Sequence, residues 1–312
     1  MTLTKPENTN LNAIILAGGD GARLTSLTRK ITGRNTPKQF CPLIDGETLF
    51  DQTRRRLSLA VPPDQTLILL SEPQEQFYKP LLCDTAERNL VIQPRNRGTA
   101  VAILYALFRL IRQGRRENVA IFPCDHYVSD DQRFIIHVEA ASSIVAKFPE
   151  RLLLLGIPAD KPETQYGWIE PAQPLDFDLM NIGPAFYIGR FWEKPSSNMA
   201  KNLWREGFFW NSFVMVGRIA AFLDLFARAL PQLYISFAQL SLLFGTPRER
   251  ETIVQLYDNI PSVSFSDKVL TEFSTECLVL PVRNVMWIDL GEPSRVISTI
   301  AQLGLHPKWL AA

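Results

Sequence analysis

Residues Ala13 to Phe40 read AIILAGGDGARLTSLTRKITGRNTPKQF, and this stretch decides the fold. Ala13 to Leu16 is short, apolar and β-prone, as expected of a strand buried in a parallel sheet, and Gly18, Gly19 and Gly21 end it abruptly. Without a Cβ, glycine lets backbone N–H groups turn outward and come close to an anion. Arg23 adds a planar fork of donors suited to phosphate oxygens, and Lys38 a mobile point charge. The stretch reads as a phosphate cradle. On the glycines alone, a plain strand-to-loop turn with solvated basic residues fits equally well, so a metal site and a second substrate elsewhere must decide.

Working outward, the spacing predicts a helix over Glu47 to Ala60, a strand over Thr66 to Ser71, helix over Pro73 to Cys83 and a strand over Leu90 to Gln93. A strong helix follows over Thr99 to Arg112, then a strand over Val119 to Pro123 and a helix running to about Lys147. Strands alternating with helices at this spacing imply βαβ units and a mostly parallel sheet covered on both faces. Ligands of such sheets bind beyond the carboxyl ends of the strands, which puts Gly18 to Arg23, the segment after Gln93 and the segment after Pro123 along one crevice. The second half is less regular: strands are expected at Arg151 to Gly156, after the loop Lys161 to Glu170, at Tyr187 to Pro195, at Cys277 to Pro281 and at Asn284 to Ile288. Arg218 to Tyr257 is mostly helical, and Pro293 to Leu303 closes the chain as a helix.

Two acids stand at strand ends. Asp125 follows the fourth strand in PCDHYVSDD, and Asp289 precedes Gly291 in WIDLG. Magnesium prefers a few carboxylate oxygens plus substrate phosphates, so one or two such acids suffice, although an ordinary loop or helix-capping acid fits the same place. Asp130 or Asp131 reads as the cap of the helix that they open. Asn211 and Ser212 interrupt the apolar run FFWNSFVMV and need partners, either in the core or on a sugar hydroxyl.

Composition bounds the remainder. The chain has 312 residues, 46% of them hydrophobic and 21% charged, with a formal net charge of +1, which gives no basic excess for nucleic acid. Arg54 to Arg56 and Arg112 to Arg116 read as solvated helix faces or ends. Residues 1–10 are polar and expected to be flexible, residues 11–312 to form a single domain, and neither a secretory apolar core nor a membrane-length run is present, so a cytoplasmic protein is expected. Cys41, Cys83, Cys124 and Cys277 are scattered and read as reduced, and His126, His137 and His306 lie too far apart in sequence to suggest a histidine metal site.

Together these pieces resemble the sugar-phosphate nucleotidyltransferases, and within them the mannose-1-phosphate guanylyltransferases, over about Ala13 to Val296. LAGGDGARL, TPKQF with LFDQTRRRL, QPRNRGTAVAI, FPCDH, TQYGWIE, FWEKP, FFWNSF and WIDLG stand in the family's order. The resemblance implies an α/β fold with a Rossmann-like, mostly parallel mixed sheet flanked by helices. It implies nucleotide binding by Leu16, Ala17, Gly18, Gly19, Gly21, Arg23, Lys38, Pro94, Arg97 and Thr99, and Mg²⁺ held by Asp125 and Asp289. Tyr166, Gly167, Glu193, Lys194 and Asn211 would hold the sugar phosphate, and Arg23, Lys38, Asp125 and Asp289 would carry the chemistry. The implied partners are a nucleoside triphosphate, GTP by this branch, and a sugar 1-phosphate, with no nucleic acid or membrane; a homodimer is a further expectation.

The chain departs from the family at Gln165 and Phe213, where glycine is usual, at Gly98 in place of asparagine and at Val101 in place of proline. The segment between Arg23 and Pro37 is also longer than usual, and Thr25 to Thr36 is expected to be a mobile lid over the triphosphate. Two alternatives are weaker. A dehydrogenase wants a helix directly after the glycines and an acid about 20 residues on, whereas Pro37 and a polar stretch follow the loop here. A non-catalytic nucleotide or sugar-phosphate sensor of the same fold would keep only some of these charges.

Overall fold

The computed structural model describes residues 11–44, 46–176 and 182–311; the expectation of a flexible segment at 1–10 lies outside them. The chain opens with β1 (Leu11–Leu16), whose buried apolar run ends in the glycine loop, then α1 (Thr25–Thr32) and α2 (Leu49–Leu57). Next come β2 (Thr66–Ser71), α3 (Glu75–Tyr78), β3 (Leu90–Gln93), α4 (Gly98–Arg112), β4 (Asn118–Pro123), β5 (His126–Val128) and α5 (Asp131–Lys147). The second half runs β6 (Leu152–Pro158), β7 (Gly167–Pro174), β8 (Phe186–Glu193), α6 (Ser197–Arg205) and β9 (Phe209–Arg218). It continues through α7 (Ile219–Ala229), α8 (Pro231–Ser241), α9 (Glu249–Asn259), α10 (Thr271–Phe273), β10 (Cys277–Pro281), β11 (Trp287–Asp289), α11 (Pro293–Gln302) and α12 (Lys308–Ala311).

Nine strands form one sheet in the order β3-β2-β1-β4-β9-β6-β10-β8-β7. The first four are parallel, β9 enters antiparallel between β4 and β6, and β6 with β10 is parallel again. Because β7 pairs with both β8 and β9, the last five strands curl into a closed ring. Successive strand residues point to opposite faces, and the core divides accordingly. Ala13, Ile15, Ile68, Leu70, Ala120 and Phe122 face α2 and α5 in one cluster. Ile14, Leu67, Leu69, Val119 and Ile121 face α4, α7 and α8 in the other. Among the described residues no helix is long and apolar enough to cross a membrane.

Several expectations change. The segment expected as a lid, Thr25 to Thr36, is helical over Thr25–Thr32: α1 packs Leu27, beside Leu24 just before it, against Cys41, Leu43, Leu290, Val296 and Ile300. A helix therefore does follow the glycines, contrary to the reading of Pro37, and what separates this loop from a dinucleotide turn is the missing ribose acid. The helix expected over Pro73 to Cys83 is broken into short turns, since Pro73 and Pro80 deny the backbone its donors. Arg56 is not solvated: it is buried, with Nε donating to Asp131 Oδ1 at 2.7 Å and its guanidinium over the Phe134 ring. Asp130 does cap α5, accepting from Arg133 N at 2.9 Å. Among the described residues all four cysteines are free, and only Cys83 is exposed.

Candidate functional site

The glycine loop is held from behind. Gln39 Nε2 donates to the carbonyls of Ala17 (3.0 Å) and Gly19 (2.8 Å), and Gln74 Nε2 donates to Gly19 (2.9 Å). With its carbonyls tied back, the loop is free to present N–H groups to the crevice. A Cβ on Gly18 would lie 2.4 Å from Gln93 Nε2 and force that amide to move, whereas one on Gly19 would meet nothing within 4 Å. Gly21 has φ 60 and lies against the Lys38 backbone. Across the cleft, Asn96 Nδ2 donates to Asp20 Oδ2 at 3.0 Å, joining the loop after β3 to the glycine loop. Leu16, Ala17 and Pro94 line the same strand ends. Arg97 and Thr99 are engaged within the protein: Arg97 Nε donates to the Tyr257 carbonyl (2.8 Å), and Thr99 Oγ1 accepts from Phe265 N (2.9 Å).

The charged centre is set by a two-stranded ribbon. β11 pairs antiparallel with β5, and its register places Asp289 opposite His126, the residue after Asp125. Lys38 fills the space between the acids, its Nζ 2.7 Å from Asp289 Oδ1 and 3.2 Å from Asp125 Oδ2, with 4% of the side chain exposed. Burial works against the ammonium, but the carboxylates of Asp125 and Asp289 outweigh it and raise the lysine above its ordinary value. Burial likewise acts to raise the Asp289 carboxyl, yet Lys38 and His126 bring it below the usual carboxylate range. The Arg23 guanidinium lies against the Gly291 backbone beside Asp289, close enough that a side chain on Gly291 would strike both.

His126 corrects the reading of dispersed histidines. Its Nε2 is 3.5 Å from Asp125 Oδ1 and 3.9 Å from Asp289 Oδ1, and burial lowers its basicity. Asp125, His126 and Asp289 each offer one ligand atom within 4.8 Å of the others, a donor set that could hold a divalent cation. His126 Nδ1 is buried without a hydrogen-bond partner, which leaves the ring free of the internal tether that fixes most structural histidines.

A second row crosses the ring of strands. Gly167 pairs with Glu193, Trp168 with Trp210, and Asn211 with Gly156, so that Glu193, Gly167 and Asn211 come to neighbouring strands. Gly167 must lack a side chain, because a Cβ would be 2.6 Å from Phe191 Cζ and 3.0 Å from Glu193 Oε2. Burial pushes the Glu193 carboxyl up, Lys194 opposes it from 3.3 Å, and Asp267 adds to the rise. Lys194 (φ 44) and Phe213 (φ 60) both hold left-handed backbone that side chains rarely adopt, a cost of order 1–3 kcal/mol each that surrounding structure must sustain. Asn211 Oδ1 accepts from Phe213 N at 3.0 Å, while Ser212 Oγ donates to the Leu155 carbonyl at 2.6 Å and accepts from Val214 N at 3.1 Å.

Tyr166 ties this row to the charged centre. Its hydroxyl donates to the Asp289 carbonyl at 3.4 Å and accepts from Arg295, which also donates to that carbonyl at 3.0 Å and to Glu163 Oε2 at 2.7 Å. Glu163 in turn accepts from Gln165 N, and its carbonyl from Trp168 Nε1. Gln39, Gln74, Gln93, His126, Glu163 and Arg295 escaped the sequence reading. Only His126 and Gln39 carried a signal there, as immediate neighbours of Asp125 and Lys38; the others act across distances that spacing does not encode.

The family description Nucleotidyl transferase matches residues 12–303. Alginate biosynthesis protein AlgA of Pseudomonas putida is 33% identical over 214 residues, 68% of this chain and 42% of that protein. Mannose-1-phosphate guanylyltransferase 2 of Escherichia coli O157:H7 is 26% identical over 298 residues, 89% of this chain and 58% of that one. The chain thus spans about half the length of the curated relatives it matches. A solved structure from Thermus thermophilus, described as a mannose-1-phosphate geranyltransferase, superimposes with a TM-score of 0.75 at 29% identity, covering 91% of this chain and 77% of its own.

Proposed function

We propose that this chain, which belongs to the nucleotidyl transferase family, joins a sugar 1-phosphate to the nucleotidyl group of a nucleoside triphosphate, with mannose 1-phosphate and GTP as the pair. The observation that carries the reading is the convergence of Lys38, Asp125 and Asp289 beside the glycine loop, linked through the Tyr166 hydroxyl to the row that begins at Gly167 and Glu193. The guanylyltransferase among the relatives supports the choice of pair.

An oxygen of the sugar phosphate attacks the α-phosphorus in line and pyrophosphate leaves, so no protein nucleophile is needed. Both reactants are anions, and catalysis rests on positioning and charge neutralisation. Gly18, Gly19 and Gly21 receive the phosphates on backbone donors, Arg23 takes the outer phosphates, and the segment from Pro94 through Arg97 to Thr99 forms the wall beside the base. Lys38 neutralises charge at the α-phosphate once it is drawn from between the acids. Asp125 and Asp289 fit a Mg²⁺ ion, which when bound supplies charge neutralisation at the reacting phosphate. Glu193 accepts from sugar hydroxyls, Lys194 reaches the sugar phosphate, and Asn211 with the Gly167 backbone fixes the ring beside Tyr166.

Pyrophosphate release tests the reading. The expected result is release from GTP, mannose 1-phosphate and Mg²⁺ above that from any other combination of GTP, UTP, dTTP, ATP or CTP with glucose or mannose 1-phosphate. Release from none of these pairs refutes it.

A further inference from the structure

Phe213 stands at the junction between the two halves of the crevice. β9 carries extra residues against β6 here: Leu154 pairs with Met215, yet Gly156 pairs with Asn211, so four steps on one strand match two on the other. Such bulges re-aim side chains, and in this one the N–H groups of Phe213 and Val214 are taken by the Asn211 and Ser212 side chains. Phe213 sits at its apex in left-handed backbone, an uncommon conformation for a bulky side chain. Its N–H holds Asn211 Oδ1, which fixes the amide plane and leaves the two Nδ2 protons for other acceptors.

The ring leads the other way. It packs edge-on against Phe265, with centroids 6.5 Å apart and planes at 85°. Phe265 ends a strap that clamps the segment after β3: Phe265 N donates to Thr99 Oγ1, Ala100 N to the Val263 carbonyl (3.0 Å), and Val263 N to the Arg97 carbonyl (2.9 Å). Phe265 is fully buried among Phe222 and Phe226, so it has little room to move independently of the strap.

We infer that Phe213 is a positioning residue that couples the two substrate subsites. Nucleotide seated against Arg97 to Thr99 fixes the strap, the strap fixes the Phe213 ring, and the Phe213 N–H fixes the Asn211 amide toward the sugar. The strain at Phe213 is the cost of placing one residue in both contacts. This rests on the nucleotide and sugar-phosphate reading above.

The test is a linkage measurement. The dissociation constant of mannose 1-phosphate is measured by calorimetry with and without saturating Mg²⁺ and the α,β-methylene analogue of GTP, which cannot react. In the wild type the nucleotide tightens sugar-phosphate binding by about 5-fold or more. Phe213→Gly, which suits the backbone but removes the ring, lowers that ratio below about 2-fold while the affinity without nucleotide changes little. Phe213→Tyr keeps the ring and restores the ratio. An unchanged ratio in Phe213→Gly, a wild-type ratio of one, or an equal loss of affinity in both conditions overturns the coupling; the last is what a merely structural role gives. Pyrophosphate release by the wild type reports on the substrates separately: turnover with an unchanged ratio refutes the coupling alone, and no turnover refutes the substrates and the coupling with them.

Discussion

Replacing Lys38 with methionine removes a buried cation from between two carboxylates. Breaking a buried pair by deleting one partner costs about 3–5 kcal/mol, because the remaining charge is left unpaired in a poorly solvated place. The low end applies here. Asp289 lies in the buried contact at 2.7 Å, but Asp125 is 38% exposed and water screens its share. Unfolding entropy of about 2.1 cal/mol/K per residue comes to roughly 0.65 kcal/mol/K over 312 residues, so a loss of about 3 kcal/mol lowers Tm by about 4–5 °C. A divalent cation can take the vacated place between the acids, and anything that binds only the folded state raises stability. Differential scanning calorimetry in chelator-treated buffer, then with millimolar Mg²⁺ or Mn²⁺, checks both parts. The variant recovers most of its lost Tm on adding metal and gains more than the wild type does, while turnover stays low. A Tm within about 1 °C of wild type without metal, or an equal metal response in both proteins, would show that Lys38 is not the counter-ion of this pair.

Gly18→Ala puts a methyl group 2.4 Å from Gln93 Nε2 and shifts the loop, so nucleotide affinity falls tenfold or more, about 1.4 kcal/mol, whereas Gly19→Ala, which meets nothing, keeps a stably folded loop; equal effects of the two on thermal stability would refute the steric argument. Arg295→Met severs the links from α11 to Glu163 and the Asp289 carbonyl, and leaves the Glu163 carboxylate unpaired. It raises KM for the sugar phosphate more than for the nucleotide and destabilises the fold by about 3 kcal/mol, read by denaturant titration. Burial raises the Glu193 carboxyl above its unfolded value, so the group costs stability progressively as pH rises from the unfolded to the folded value, in full above the latter, and it loses its charge as pH falls through the folded value. Sugar-phosphate affinity therefore drops on acidification, beginning at a higher pH than an ordinary glutamate gives, and Glu193→Gln flattens that pH profile; an unaltered profile removes Glu193 from the subsite.

The crevice at the glycine loop was legible from local signals. Apolar runs ending in glycine or acid are local signals, and the rule that ligands gather at the carboxyl ends of parallel strands carried Gly18, the segment after Gln93 and Asp125 to one crevice without any distance. Strand ends also exposed Asp289 and Glu193, and the interrupted apolar run exposed Asn211, as polar residues with no local reason to be there. Only the tertiary structure decided how they meet. The register of β5 with β11 brings His126 and Asp125 to Asp289, and Lys38 into both carboxylates, across 251 positions of chain in the case of Lys38 and Asp289. The helix at Thr25–Thr32 was hidden because its threonines and basic residues suggest a solvated loop, whereas burial against Leu290 and Val296 supplies the packing that helix propensity lacks. Glu163 with Arg295, and the strap that holds Thr99 beside Phe213, are pairings between remote segments; side-chain spacing encodes periodicity along one element and carries no record of which other element will pack against it.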